Sequence, residues 1–70
     1  MVEKIEIVVN GEKKVILNKS NIKEMIKTLG YEDNSFAVVL NGTFVDLKKY
    51  DETKIVKGDT IEILAPMAGG

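Results

Sequence analysis

The sequence finishes with Thr60-Ile61-Glu62-Ile63-Leu64-Ala65-Pro66-Met67-Ala68-Gly69-Gly70, in which a strand-like segment leads directly into a short tail. Apolar and polar residues alternate over 60–64, which predicts a half-buried strand with Ile61 and Ile63 on one face. Leu64 then lies on the other face. We expect residues 1–64 to form the folded domain and residues 65–70 to form a flexible C-terminal tail.

The Gly-Gly pair that ends this tail has two interpretations. Most chain termini are frayed, and glycine loses more conformational freedom on ordering than other residues. Alternatively, a thin peptide can thread a narrow channel of a partner enzyme and present the carboxylate of Gly70 there. Pro66, Met67, Ala68 and Gly69 would then occupy the channel.

A second alternating run, near the start, places Ile5, Ile7 and Val9 on one strand face. Asn10-Gly11 follows and is a strong hairpin signal. A two-residue loop would put Val15 and Leu17 of the return strand on the opposite face. A three-residue loop over 10–12 gathers all these apolar side chains on one face, with a bulge at the glycine. We expect the three-residue loop.

A short helix is predicted over about 21–29, because apolar residues recur there at helical spacing: Ile22, Met25, Ile26 and Leu29. Asn21 is a good N-cap, and Glu24 three residues later completes a capping box. Gly30 stands where a left-handed C-terminal cap belongs.

Residues 36–40 make a nearly continuous apolar strand, and Asn41-Gly42 predicts a second hairpin. A two-residue loop pairs Val39 with Phe44 and puts both on the face opposite Val38. The connection over 46–59 breaks the pattern, with a helical turn expected near its start. We expect four apolar residues to anchor it: Leu47, Tyr50, Ile55 and Val56.

Two hairpins, one helix between them and a last strand predict an α+β fold. One helix can cover one face of a mixed sheet of four to five strands. The first and last strands can lie side by side at the centre, and they would then run parallel because a helix-containing connection permits the crossover. This is the β-grasp plan of ubiquitin-like proteins, with the tail leaving a central strand.

Composition excludes several classes of function. The net charge of −1 argues against nucleic acid as a partner, since phosphate binding needs excess lysine and arginine. The chain has 70 residues with no cysteine and no histidine, so thiol chemistry, a typical zinc site and a histidine base are unavailable, and we expect neither an enzyme nor a metal site. Charges at Glu3, Lys4 and Glu6 leave no apolar run after the first methionine, so we expect no signal or membrane span and a cytoplasmic protein.

Three apolar residues, Val39, Phe44 and Leu64, are predicted on the sheet face away from the helix, beside the start of the tail. One exposed apolar side chain needs no explanation, but three together suggest a docking patch for a partner. The alternative is that the 46–59 connection covers some of them.

Three blocks with their spacing resemble the ThiS family of sulfur carriers: 39–45 (Val-Leu-Asn-Gly-Thr-Phe-Val), 58–63 (Gly-Asp-Thr-Ile-Glu-Ile) and 66–70 (Pro-Met-Ala-Gly-Gly). The resemblance covers nearly the whole chain. Asp46-Leu47 departs from it, because many members have Pro-Arg there. The family's partner contacts at that loop therefore do not carry over to this chain, whereas the tail chemistry is not affected.

The resemblance implies a carrier that performs no chemistry itself and binds no cofactor. A ThiF-like adenylating partner would use ATP to activate the carboxylate of Gly70, and a sulfur donor would convert it to a thiocarboxylate. A ThiG-like thiazole synthase would consume that sulfur in thiamine biosynthesis. The alternatives are a MoaD-like carrier for molybdopterin synthesis, a ubiquitin-like protein modifier, and a plain β-grasp interaction module.

Overall fold

A computed structural model describes residues 3–31 and 37–64 of the chain. In chain order, the elements are β1 (Lys4–Val9), β2 (Glu12–Leu17), α1 (Ile22–Thr28), β3 (Ala37–Leu40), β4 (Thr43–Val45), a 3₁₀ turn (Leu47–Lys49) and β5 (Thr60–Leu64). The five strands form one mixed sheet in the order β2-β1-β5-β3-β4.

Strand β5 lies at the centre of this sheet. It runs parallel to β1, with Val8 beside Thr60, and antiparallel to β3, with Val38 beside Ile63. The backbone N–H of Val8 donates to the carbonyl of Asp59 at 3.0 Å on the β1 side. The prediction of a central, parallel pair of first and last strands in a β-grasp fold is therefore confirmed.

Helix α1 begins and ends at the residues that its capping signals indicate. Oδ1 of Asn21 accepts from the backbone N–H of Glu24 at 2.7 Å, and the Glu24 carboxylate accepts from the N–H of Asn21 at 2.9 Å. At the other end, Gly30 has a φ of 89° and donates to the carbonyl of Lys27. These bonds satisfy polar groups that the helix ends would leave unpaired, and they confirm the predicted caps.

The core lies between α1 and one face of the sheet. Five of its side chains have no exposed surface: Ile7, Ile22, Met25, Val38 and Ile61. Burying each of these side chains contributes roughly 1.5–3 kcal/mol of transfer free energy. A domain this small depends on one shared core for that stabilisation.

The connection between β4 and β5 is anchored by two of the four predicted residues. Tyr50 and Ile55 are buried, but Leu47 and Val56 are exposed, so the prediction was wrong for those two. Burial raises the pKa of the Tyr50 hydroxyl above its usual value. Folding therefore favours the neutral phenol, and this contribution to stability is lost as the pH rises above about 10.

The first hairpin differs from the sequence-based expectation. Its loop has two residues, since Val9 pairs with Glu12 and Ile5 with Ile16. Asn10 and Gly11 have φ values of 51° and 81°, and the two-residue turn with positive φ at both positions suits the right-handed twist of paired strands. The predicted three-residue loop and its bulge were wrong.

This register decides which residues of β2 are buried. Ile16 is in the core, whereas Val15 and Leu17 lie on the outer face with exposed fractions of 54% and 46%. Turn geometry has therefore prevailed over the gain from burying two more side chains.

The second hairpin has the predicted two-residue loop. Val39 pairs with Phe44 and Val38 with Val45, and Asn41 and Gly42 again have positive φ. Val38 belongs to the core, with Leu40 and Val45 packed against it, so the predicted faces are confirmed.

The register of the first hairpin can be tested with a pair of truncations in β2. Ile16→Ala should lower the free energy of unfolding by about 2–5 kcal/mol, because it leaves a cavity in the core. Val15→Ala, on the exposed face, should change it by about 0.5 kcal/mol or less. Urea denaturation of both variants measures the difference, and the opposite ranking would support the three-residue loop.

Candidate functional site

The candidate site begins where β5 ends, at Leu64. The tail residues that the sequence analysis singled out (Pro66, Met67, Ala68, Gly69 and Gly70) lie outside the described residues, and so does the predicted boundary at 65. Their role stays a prediction. The described structure shows what holds the strand from which they continue.

The end of β5 nearest the tail is held by a side chain from the first hairpin. Oδ1 of Asn10 accepts from the backbone N–H of Ile63 at 2.8 Å. Nδ2 of the same amide donates to the carbonyl of Ile63 at 3.3 Å. The backbone N–H of Asn10 donates to the carbonyl of Ile61 at 2.9 Å. One turn residue therefore binds three backbone groups near the end of β5.

The other end of β5 is held in a similar way by the second hairpin. Oδ1 of Asn41 accepts from the N–H of Thr60 at 2.9 Å, and Nδ2 of Asn41 donates to Oδ1 of Asp59 at 3.0 Å. The second carboxylate oxygen of Asp59 accepts from the N–H of Val56 at 2.9 Å. Asp59 is nearly buried, and these bonds compensate the cost of removing its oxygens from water.

Both asparagines were predicted only as turn residues, so these contacts were not expected. An Asn-Gly pair is sufficiently explained by the turn itself, since asparagine tolerates positive φ. Aspartate or glycine in the same position would also suit the turn, but neither offers a donor and an acceptor together. The choice of asparagine in both hairpins was the available signal.

The three residues of the predicted docking patch do share the outer sheet face. Val39 pairs with Phe44 in the β3–β4 register, and Leu64 pairs with Ala37 in the β3–β5 register. Phe44 is 70% exposed and Leu64 is 43% exposed, whereas Val39 is only 8% exposed. Any contact with a partner would therefore rest on Phe44 and Leu64, because Val39 is almost fully buried.

Val15 and Leu17 form a second exposed apolar pair on the outer face, on the edge strand β2. Edge strands β2 and β4 are four strand spacings apart, or about 19 Å. The second pair is therefore separate from Phe44. It was missed because the predicted register had turned both residues inward.

Over residues 3–31 and 37–64, the structure brings together no group of three or more side chains that could hold a metal ion. In the same part of the chain, no helix is long and apolar enough to cross a membrane. What the described residues do form is a strand end that is held by hydrogen bonds and lies beside an apolar patch.

These features define a β-grasp domain that continues from its central strand into a C-terminal Gly-Gly sequence. The chain belongs to the ThiS family, whose model matches residues 3–70. Its members are small sulfur carriers and are not themselves catalysts, and the match supports a sulfur carrier of thiamine biosynthesis.

Two solved structures from Geobacter metallireducens are similar to the chain. The crystal structure of a thiamine biosynthesis protein (ThiS) has a TM-score of 0.82 at 28% identity, covering 94% of this chain and 100% of that one. An NMR solution structure of a thiamine biosynthesis protein has a TM-score of 0.78 at 28% identity, covering 94% of this chain and 88% of that one. No curated protein matched the sequence.

The carboxylate of Asp59, just before β5, should contribute to the stability of the fold. We expect Asp59→Ala to lower the free energy of unfolding by about 1–3 kcal/mol, because it leaves the N–H of Val56 and the amide of Asn41 without their acceptor. The matched control is Asp51→Ala at an exposed position, which should change stability by about 0.5 kcal/mol or less. Equal midpoints in urea for the two variants would contradict this assignment.

Proposed function

We propose that the chain carries sulfur on its C-terminal glycine. A ThiF-like partner transfers adenylate from ATP to the carboxylate of Gly70 and releases pyrophosphate. Sulfide from a donor then attacks the acyl carbon and displaces AMP, which leaves a thiocarboxylate. A ThiG-like thiazole synthase takes that sulfur into the thiazole of thiamine.

The observation that carries this proposal is the family match, because it runs through residue 70 and so includes the Gly-Gly sequence. The chemistry of the end group agrees with it. A terminal carboxyl has a pKa of about 3.5, so it is an anion at neutral pH and a poor electrophile. A chain without cysteine or histidine needs an outside enzyme to activate it.

The first test is chemical. Purified carrier is incubated with a ThiF-like adenylating enzyme, ATP and a sulfide source, and then analysed by intact mass and fragmentation. We expect one oxygen to be replaced by sulfur, with the change confined to the C-terminal fragment. A modified lysine would instead indicate a ubiquitin-like modifier.

Deletion of Gly70 is the control for this experiment. It should abolish the mass change while leaving the melting temperature nearly unchanged, because Gly70 lies six residues beyond Leu64, where β5 ends. Should the deletion unfold the domain, the tail would be structural and the carrier interpretation would lose its basis.

The partner is proposed to dock on the outer-face patch formed by Val39, Phe44 and Leu64. A tail alone buries too little surface for stable binding, since specific interfaces bury about 800 Å² per partner. Phe44 and Leu64 supply exposed apolar area on the sheet face beside the end of β5. A partner seated there would meet the tail as it leaves the sheet.

Serine substitutions test this docking surface. Phe44→Ser and Leu64→Ser should fold normally and raise the Kd for the adenylating enzyme about tenfold or more, as expected when a central apolar contact is lost. Leu17→Ser is a matched control, because Leu17 is 46% exposed on the same face but lies on the edge strand β2. The Kd values are measured by titration calorimetry. If the two patch variants have the same Kd as the Leu17→Ser control, the patch is ruled out.

A further inference from the structure

We infer that Asn10 is a positioning residue that fixes the point and direction in which the tail leaves the sheet. The inference rests on the proposed function for its purpose, but its physical basis is independent of any partner. That basis is the pair of hydrogen bonds between one side-chain amide and both backbone groups of Ile63.

The geometry shows why a side chain is needed at this point. Successive residues of a strand direct their backbone groups toward opposite neighbours, so Ile61 and Ile63 both face β1. The carbonyl of Ile61 is bound by the backbone N–H of Asn10. However, β1 ends at Val9 and the chain has already turned into the hairpin. The amide of Asn10 therefore takes the place of the next β1 residue and extends the parallel pairing as far as Ile63.

Asparagine is suited to this task for two separate reasons. Its φ of 51° is one that most side chains avoid but that a two-residue hairpin turn requires. Its amide carries a donor and an acceptor side by side, which matches the N–H and C=O of one strand residue. Glycine would keep the turn and lose both bonds, and aspartate would keep the turn and the acceptor alone.

The contact controls how firmly the end of β5 is held where the tail begins. Six residues follow Leu64, the last residue of β5, enough to reach roughly 20–22 Å when extended into a channel. If the β1 side of Ile63 opens, the pairing with β1 retreats to Ile61 and β3 alone holds the end of β5, so the carboxylate of Gly70 starts from a less defined position. A docked partner would then have to order the end of β5 before the carboxylate reaches its nucleotide.

The test compares the same substitution in the two hairpins. Asn10→Gly removes the bonds to Ile63, while Asn41→Gly removes the side-chain bonds to Thr60 and Asp59 at the start of β5, and both keep a glycine-compatible turn. Amide hydrogen exchange by NMR should show exchange of the Ile63 N–H accelerated about fivefold or more in Asn10→Gly, the effect of one lost hydrogen bond. In Asn41→Gly the exchange of Ile63 should stay within about twofold of the wild type after correction for global stability.

The second readout is the kinetics of pyrophosphate release with a ThiF-like enzyme and ATP. With Asn10→Gly, kcat should fall about three- to tenfold while KM stays within about twofold, because docking is intact but the tail is less often in place. With Asn41→Gly, kcat should match the wild type. Asn10→Asp, which suits the same turn and keeps the acceptor for the Ile63 N–H, should give a smaller fall in kcat.

The outcomes separate the inference from the proposed function. If the wild type is adenylated and Asn10→Gly has the same kcat, or if exchange of the Ile63 N–H does not change, the positioning role is overturned and the carrier function stands. If the wild type is not adenylated at all, the carrier function fails, and the positioning role fails with it.

Discussion

The pairing of β5 with both of its neighbours is the interaction on which the rest of this structure depends. In the sheet order β2-β1-β5-β3-β4, the two hairpins do not pair with each other, and within residues 3–31 and 37–64 β5 is the strand that joins them. Ile61 and Ile63 are buried in the core that α1 covers. Without β5, each hairpin would be an isolated two-stranded unit, which is at best marginally stable in water.

The two hairpin turns serve this central strand as well as their own strands. Asn10 holds the end of β5 and Asn41 holds its start, each by a side-chain amide that also sits in a positive-φ turn. Among the described residues, every buried side-chain nitrogen or oxygen has a hydrogen-bond partner. The polar groups around β5 are thus accounted for, so the strand is fixed by polar contacts at its ends and by apolar packing along its length.

Local signals predicted most of the fold, whereas contacts between distant residues escaped prediction. The Asn21–Glu24 capping box and the second hairpin depend on residues a few positions apart, and both were found in the sequence. In the first hairpin, alternation alone left two registers open, and the choice that favoured burial of Val15 and Leu17 was wrong. The Asn10–Ile63 bonds join residues 53 positions apart, so no local pattern could reveal them. For the candidate site, the outer-face positions of Phe44 and Leu64 followed from strand alternation, but the near-complete burial of Val39 depended on tertiary packing.

The position of β5 also bears on the order of events in folding. The strand that completes the sheet is formed by residues 60–64, and it must insert beside a strand formed by residues 4–9. During synthesis, the two hairpins and the helix are made before β5. The pairing of β5 with β1 is expected to form late, because the two strands are far apart in sequence. A chain without residues 60–64 would therefore lack the strand that pairs with both hairpins. We therefore expect the sheet to become cooperative only once residues 60–64 have paired with both neighbours.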